Sequence, residues 1–232
     1  MAIAIKALSA GDDRSLAEVI RIYQGAIESS EQKPPEALEA MVGDPRYMVL
    51  AALDGARAVG FSISFFPSTK RFWLLEYMAA DTAVRSQGLG ALLFQETIRR
   101  GSERLPHAVC LLEVDRAPAA GSTDDEKWRR LQFYRRQGCL ALEPLDYILP
   151  LEFAGSPPPM KILVCGADAD ARFDREWVKN VLASLYTEVY DVPTSDPRFA
   201  SMTANLPESL ELSVLPNTLS NTSEPPTPAS PA

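Results

Sequence analysis

Soft metal ligands are scarce in this chain of 232 residues, which holds one histidine, His107, and three cysteines, Cys110, Cys139 and Cys165, with no CxxC pair. An odd, widely spaced set of thiols argues against a disulfide framework, and a lone imidazole beside it argues against zinc. Long apolar runs are missing too. No stretch approaches the roughly 18 uncharged residues that span a bilayer. The opening MAIAIKALSAGDD has no cationic head before a hydrophobic stretch. The expectation is a soluble cytoplasmic protein without a metal or a membrane partner. Positive charge is also short, with 23 Lys and Arg against 31 Asp and Glu and a net charge of −8. That is the wrong sign for neutralising phosphates along a nucleic acid, so none is expected as a partner.

What the chain does have is a 46% apolar fraction, enough for one core of ordinary domain size. Residues 203–232 stand apart, with six prolines, three glutamates and no lysine or arginine. Such a composition predicts a disordered acidic tail. The expected division is residues 1–166 as one domain, 167–202 as a helical extension packed on it, and 203–232 as the tail.

Hydrophobic periodicity supplies the elements. Ile3 to Leu8 reads as a strand. Leu16, Val19, Ile20, Tyr23 and Ile27 lie on one helical face, with Ser15 and Glu18 at capping-box spacing and Asp12 or Asp13 as rival starts. A second helix opens at Pro34-Pro35 and runs to Gly43. Tyr47 to Leu53 and Ala58 to Phe66 flank Asp54-Gly55, a hairpin dipeptide. Phe72 to Ala80 follows as a third strand. A helix from Ala91 ending near Gly101, a strand over Val109 to Val114, a helix over Asp124 to Gln137, and strands over Leu140 to Leu151 and Met160 to Val164 complete the order. A last helix carries Phe173, Trp177, Val178, Val181, Leu182, Leu185, Tyr186 and Val189 on one broad stripe, which must cover a sheet or mediate a homodimer. The fold class is mixed α/β, with a mostly antiparallel sheet flanked by helices.

Chemistry concentrates in Arg85-Ser86-Gln87-Gly88-Leu89-Gly90. A strand, a glycine-containing turn and a helix start place backbone N–H groups and a helix dipole around one pocket, which suits an anion. Glycine there lets the backbone approach a diphosphate. The segment fits neither the P-loop nor the three-glycine dinucleotide fingerprint.

Strand Leu75-Glu76-Tyr77-Met78-Ala79-Ala80-Asp81 followed by Arg85-x-x-Gly88-x-Gly90 resembles the GNAT acetyltransferase superfamily and its [RQ]xxGx[GA] loop. Leu111-Leu112-Glu113-Val114-Asp115-Arg116 is similar to the LEVR strand of ribosomal-protein alanine N-acetyltransferases, and Phe133-Tyr134-Arg135-Arg136-Gln137-Gly138 to the family's YxxxG helix end. The resemblance runs over about residues 3 to 165 and implies acetyl-CoA as co-substrate. It implies that backbone at Met78, Ala79 and Ala80 holds the acetyl and pantetheine arm. Arg85, Ser86, Gln87, Gly88, Leu89, Gly90 and Ala91 would hold the pyrophosphate. Tyr134 falls on the proton donor to the CoA thiolate, and Glu113 on the general base. An extra stretch, Ala117 to Asp125, departs from the relatives near the substrate side.

An ammonium must lose a proton before its nitrogen attacks a thioester, and a carboxylate can accept it. Glu76, on the preceding strand, rivals Glu113 for that task, and both could instead be structural. Arg129, Arg130, Arg135 and Arg136 are candidates for the CoA 3′-phosphate, and Tyr23, Phe65, Phe66 and Tyr77 for the acceptor side. His107 and Cys139 read as structural. The expected activity is acetyl transfer to a small-molecule amine or a protein N-terminus, with a catalytically idle acyl-CoA-binding module acting through a protein partner as the alternative.

Overall fold

A computed structural model describes residues 3–84, 88–116, 125–153, 155 and 157–217. Among these residues nine strands form one sheet in the order β1-β2-β3-β4-β5-β7-β6-β9-β8. They are β1 (Ile3–Ala7), β2 (Tyr47–Asp54), β3 (Arg57–Phe65), β4 (Phe72–Ala80), β5 (Val109–Asp115), β6 (Leu140–Glu143), β7 (Met160–Cys165), β8 (Arg172–Asp174) and β9 (Ser209–Val214). The helices are α1 (Asp13–Ala26), α2 (Pro35–Gly43), α3 (Leu89–Arg104), α4 (Asp125–Arg136), α5 (Arg175–Ser184), which runs into a π-helical turn over Leu185–Val189, and α6 (Pro197–Thr203). Every neighbouring pair of strands is antiparallel except β4 and β5. This is the mixed, mostly antiparallel sheet expected. Among the described residues no helix is long and apolar enough to cross a membrane.

Alternation along the strands divides the core between two faces. Phe72 and Leu74 of β4 and Leu111 of β5 pack on the face covered by α5, the π turn and α6. Trp73, Leu75, Cys110, Leu112 and Val114 pack on the opposite face with α3 and α4. The first face also carries α1 and α2, over Val49, Phe61 and Ile63. The apolar stripe of α5 is consumed here: Val178, Leu182, Leu185 and Tyr186 are fully buried against the sheet of the same chain.

Local rules explain most boundaries. Gly55 takes φ +61° in the β2–β3 hairpin, a value that favours glycine. The Ser15–Glu18 capping box does not form; α1 starts at Asp13, and the Glu18 carboxylate accepts the Ala58 N–H instead. Helix α3 runs past Gly101 to Arg104 because that glycine is a packing contact rather than a stop. A Cβ there would stand 2.4 Å from the Trp73 ring.

The C-terminal part differs most from expectation. β6 is cut to Leu140–Glu143, since Pro144 offers no N–H to continue the ladder. Phe173 belongs to β8, and α5 begins after Asp174, whose carboxylate accepts the Trp177 N–H at 2.7 Å. The stretch 203–232 is not disordered throughout: Ser209–Val214 forms β9 between β6 and β8, with Leu142 opposite Leu212. Leu206, Leu210 and Leu215 are buried there. Composition averaged over the whole stretch hid this leucine-rich first half. Residues 218–232, the rest of the expected tail, lie outside the described residues.

Candidate active site

β4 and β5 pair at only three positions, Phe72 with Val109, Trp73 with Cys110 and Leu74 with Leu111. Beyond these the two strands part, and a cleft opens through the sheet between them. β4 is also irregular at that level: Ser64 of β3 faces Leu75 and Ile63 faces Tyr77, which leaves Glu76 as an extra, bulged residue. Such bulges re-aim side chains at the cost of ladder pairing. From Met78 to Ala80 the strand keeps β3 on one edge and, among the described residues, has no strand on the other.

The cleft encloses about 210 Å³ and is lined by Glu76, Met78, Ala80, Glu113, Tyr134 and Tyr190, among others. Glu113 stands on the same side of β5 as Leu111, so its carboxylate meets the layer formed by the C-terminal segment. Tyr147 donates its hydroxyl proton to Oε1, and Tyr190 donates to Oε2 at 2.6 Å. Burial raises the Glu113 carboxyl to about 7, while the two tyrosines pull it back. Tyr134 enters from α4 on the opposite layer, 9% exposed and packed on Phe94 and Phe133. Burial pushes its hydroxyl up to about 12. It is therefore a protonated donor across the physiological range.

Glu76 is placed differently from Glu113. Its side chain is 2% exposed and ion-paired at 2.6 Å with the Lys33 ammonium. Burial raises its carboxyl and Lys33 opposes that. Lys33 also donates to the Val189 carbonyl at 2.9 Å, so this pair fastens the segment before α2 and the π turn to the β4 bulge. Glu76 is thus the counter-ion of Lys33 in this arrangement, and Glu113 makes no ion pair among the described residues.

A second hollow of about 190 Å³ adjoins the first and is bounded by Met78, Ala79 and Ala80, by Gly90 and Leu93 of α3, and by Arg130, Phe133 and Tyr134 of α4. Gly88 caps α3 in the left-handed conformation, φ +77°, and among the described residues no side chain caps the helix start. The first-turn N–H groups of Leu89, Gly90 and Ala91 thus lack intrahelical acceptors, which suits a diphosphate. At Gly90 a Cβ would meet Phe133 at an ordinary 3.6 Å, so steric need for glycine there is weaker than at Gly88. Arg85, Ser86 and Gln87 lie outside the described residues, as do positions 117–124 of the extra stretch.

The remaining candidates separate cleanly. Arg130 pairs with Asp115 at 3.1 Å, and Arg135 donates to the Leu215 carbonyl at 3.2 Å, holding the end of β9. Tyr23, Phe65 and Phe66 are core residues, whereas Tyr77 lines the cleft. His107 sits in the turn before β5 with φ +67° and does not line the cleft. Cys139 is buried. Among the described residues no three His, Cys, Asp or Glu side chains are arranged to hold a metal ion. The sequence reading missed Tyr147 and Tyr190, because nothing local announces a pairing with a glutamate 34 or 77 positions earlier.

Residues 16–138 match the model of the Acetyltransferase (GNAT) family. Among solved structures, the chain resembles a GNAT-family protein from Bacteroides thetaiotaomicron at 22% identity and TM-score 0.62, over 82% of this chain and 99% of that one. It resembles Arabidopsis thaliana NAA60, solved with acetyl-CoA, at 14% identity and TM-score 0.53, over 71% and 98%. Ard1 from Thermoplasma volcanium gives 18% identity and TM-score 0.52, over 71% and 97%. At these identities the likeness is one of fold. No curated protein matches the sequence.

Proposed function

The chain belongs to the GNAT acetyltransferase family, and from that premise we propose that it moves an acetyl group from acetyl-CoA to a primary amine by direct attack within a ternary complex. The observation that carries this reading is the pairing of Glu113 and Tyr134, which reach one cleft from the two layers of the fold where β4 and β5 part. The open edge of Met78, Ala79 and Ala80 supplies backbone groups for the thioester and the pantetheine arm. The start of α3 at Gly88, Leu89, Gly90 and Ala91 supplies N–H groups for the pyrophosphate, with Arg85, Ser86 and Gln87 assigned to the same loop from the motif.

An alkylammonium has a pKa near 10, so at neutral pH it needs a base. Glu113 accepts that proton, directly or through water, and the freed nitrogen attacks the thioester carbonyl. The tetrahedral adduct collapses with cleavage of the C–S bond, and the Tyr134 hydroxyl protonates the departing thiolate. No covalent acyl-enzyme and no metal enters this sequence. Glu28, Glu31 and Glu126 also line the cleft, which favours a cationic acceptor, a small amine or a protein N-terminus.

Release of free thiol from acetyl-CoA across an amine panel tests the proposal. Glu113→Gln and Tyr134→Phe are each expected to lower kcat by about 10² with little change in acetyl-CoA affinity. CoA binding with no turnover on any amine would leave a binding module in place of an enzyme.

A further inference from the structure

The two phenols on Glu113 come from parts of the chain beyond the matched residues 16–138. Tyr147 follows β6 and Tyr190 ends the π turn. Each ring is fixed by its surroundings. Tyr147 is 2% exposed, and its backbone bridges to Met160 of β7. The Tyr190 N–H bonds the Leu185 carbonyl at 3.3 Å, and the Lys33 ammonium lies 5.8 Å from the Tyr190 ring centroid. Among the described residues Glu113 is the one hydrogen-bond partner of either hydroxyl. Phenylalanine would fill the same space, so packing alone does not account for two hydroxyls converging on the two oxygens of one carboxylate. Widened π turns recur at functional sites, and this one delivers Tyr190 to the cleft wall.

We propose that Tyr190, together with Tyr147, is a positioning residue for acetyl transfer: the two phenols hold the Glu113 carboxylate in one orientation and stabilise its anion, so that the C-terminal segment completes the active site. The inference rests on Glu113 being the general base. With both oxygens anchored, the carboxylate cannot swing away, and its remaining lone pairs are left for the incoming ammonium. The anion faces opposing influences. Burial and the charge of Glu76 on β4 disfavour it; Lys33, from the segment before α2, and the two donated hydrogen bonds favour it. Tyr77 of β4 and Tyr186 of the π turn also feel its charge, and Glu31 and Arg130 line the same cleft. Removing one hydroxyl leaves burial less opposed, so the protonated acid gains.

The test follows the carboxyl itself and the rate in parallel. In protein labelled with carbon-13 at the glutamate carboxyls, the Glu113 resonance is assigned by its loss in Glu113→Gln and titrated in wild type, Tyr190→Phe, Tyr147→Phe and the double variant. Each single variant is expected to raise the Glu113 midpoint by about one pH unit. The acidic limb of the kcat/KM profile for an accepted amine should move with it. The rate then falls about tenfold on the acidic side and recovers above the new midpoint, with acetyl-CoA affinity unchanged. Because the double variant removes both donors, an unmoved midpoint there overturns the inference. A midpoint that rises while the rate limb stays in place, or a Glu113→Gln enzyme with the wild-type profile, overturns instead the assignment of Glu113 as base, and the positioning role falls with it.

Discussion

A carboxyl group kept at about 7 inside a protein is a stored destabilisation, and Glu113 is the residue where this chain carries it. The sign follows because the folded value lies above the 4.5 of an unperturbed glutamate. Between those two values the folded state binds more protons than the unfolded chain, so stability is fully present at low pH, falls as the pH rises from about 4.5 to about 7, and changes no further above. Glu113→Gln deletes the titration while leaving an oxygen to accept one tyrosine hydroxyl. The variant is therefore expected to be more stable than wild type at pH 8, by on the order of 2 kcal/mol, and no more stable at pH 4. Urea unfolding at the two pH values measures this. Equal wild-type stability at both would show that the carboxyl is not held at a raised value. The same substitution that lowers kcat would thus raise stability, the pattern of a group kept for chemistry rather than for folding.

At the scale of elements, the strands after β7 depend on pairing with one another. β8 has three residues, too few to show alternation, and exists because it lies against β9. β9 in turn is held by β6 on its other edge. β8 has no signal that a window of sequence could read, and the polar–apolar alternation of β9 over Ser209–Val214 is short and set in a stretch whose overall composition reads as a tail, whereas α1, α5 and the β2–β3 hairpin each announce themselves through a stripe or a turn dipeptide. β9 matters to the core because Leu210 is fully buried among α5, α6 and the sheet. Leu210→Ala should cost about 2 to 5 kcal/mol, the usual range for deleting a buried leucine side chain. Leu212→Ala, at a half-buried position two residues along on the same face of the strand, should cost less. Chemical denaturation of both variants checks the order, and a Leu210→Ala protein as stable as wild type would mean that β9 is not docked as described.

Across the whole molecule, the sequence disclosed contiguous patterns and withheld the contacts made between distant segments. The Gly88 turn, the β4 and β5 strands and the YxxxG end of α4 were legible because each is a contiguous run whose spacing has a local physical cause. The roles of Glu76 and Glu113 could not be separated in that way, since the distinction depends on Lys33 reaching one and two distant tyrosines reaching the other. Charge, by contrast, is legible at once, and it leads to an opposite salt dependence for the two proposed substrates. The chain carries a net −8, and Glu28, Glu31 and Glu126 stand along the cleft. A cationic amine is drawn toward this field and an anionic acetyl-CoA is repelled at long range, though bound locally by backbone N–H groups. Salt screens both effects once the Debye length falls to about 8 Å, near 0.15 M ionic strength. Raising ionic strength from about 0.02 M to about 0.3 M should therefore increase the KM for the amine severalfold, while the KM for acetyl-CoA stays level or declines. Glu28→Gln with Glu31→Gln should flatten the amine dependence and leave the acetyl-CoA dependence as it was. Initial rates at several salt concentrations decide the matter, and an amine KM indifferent to salt would place the acceptor outside the reach of these carboxylates.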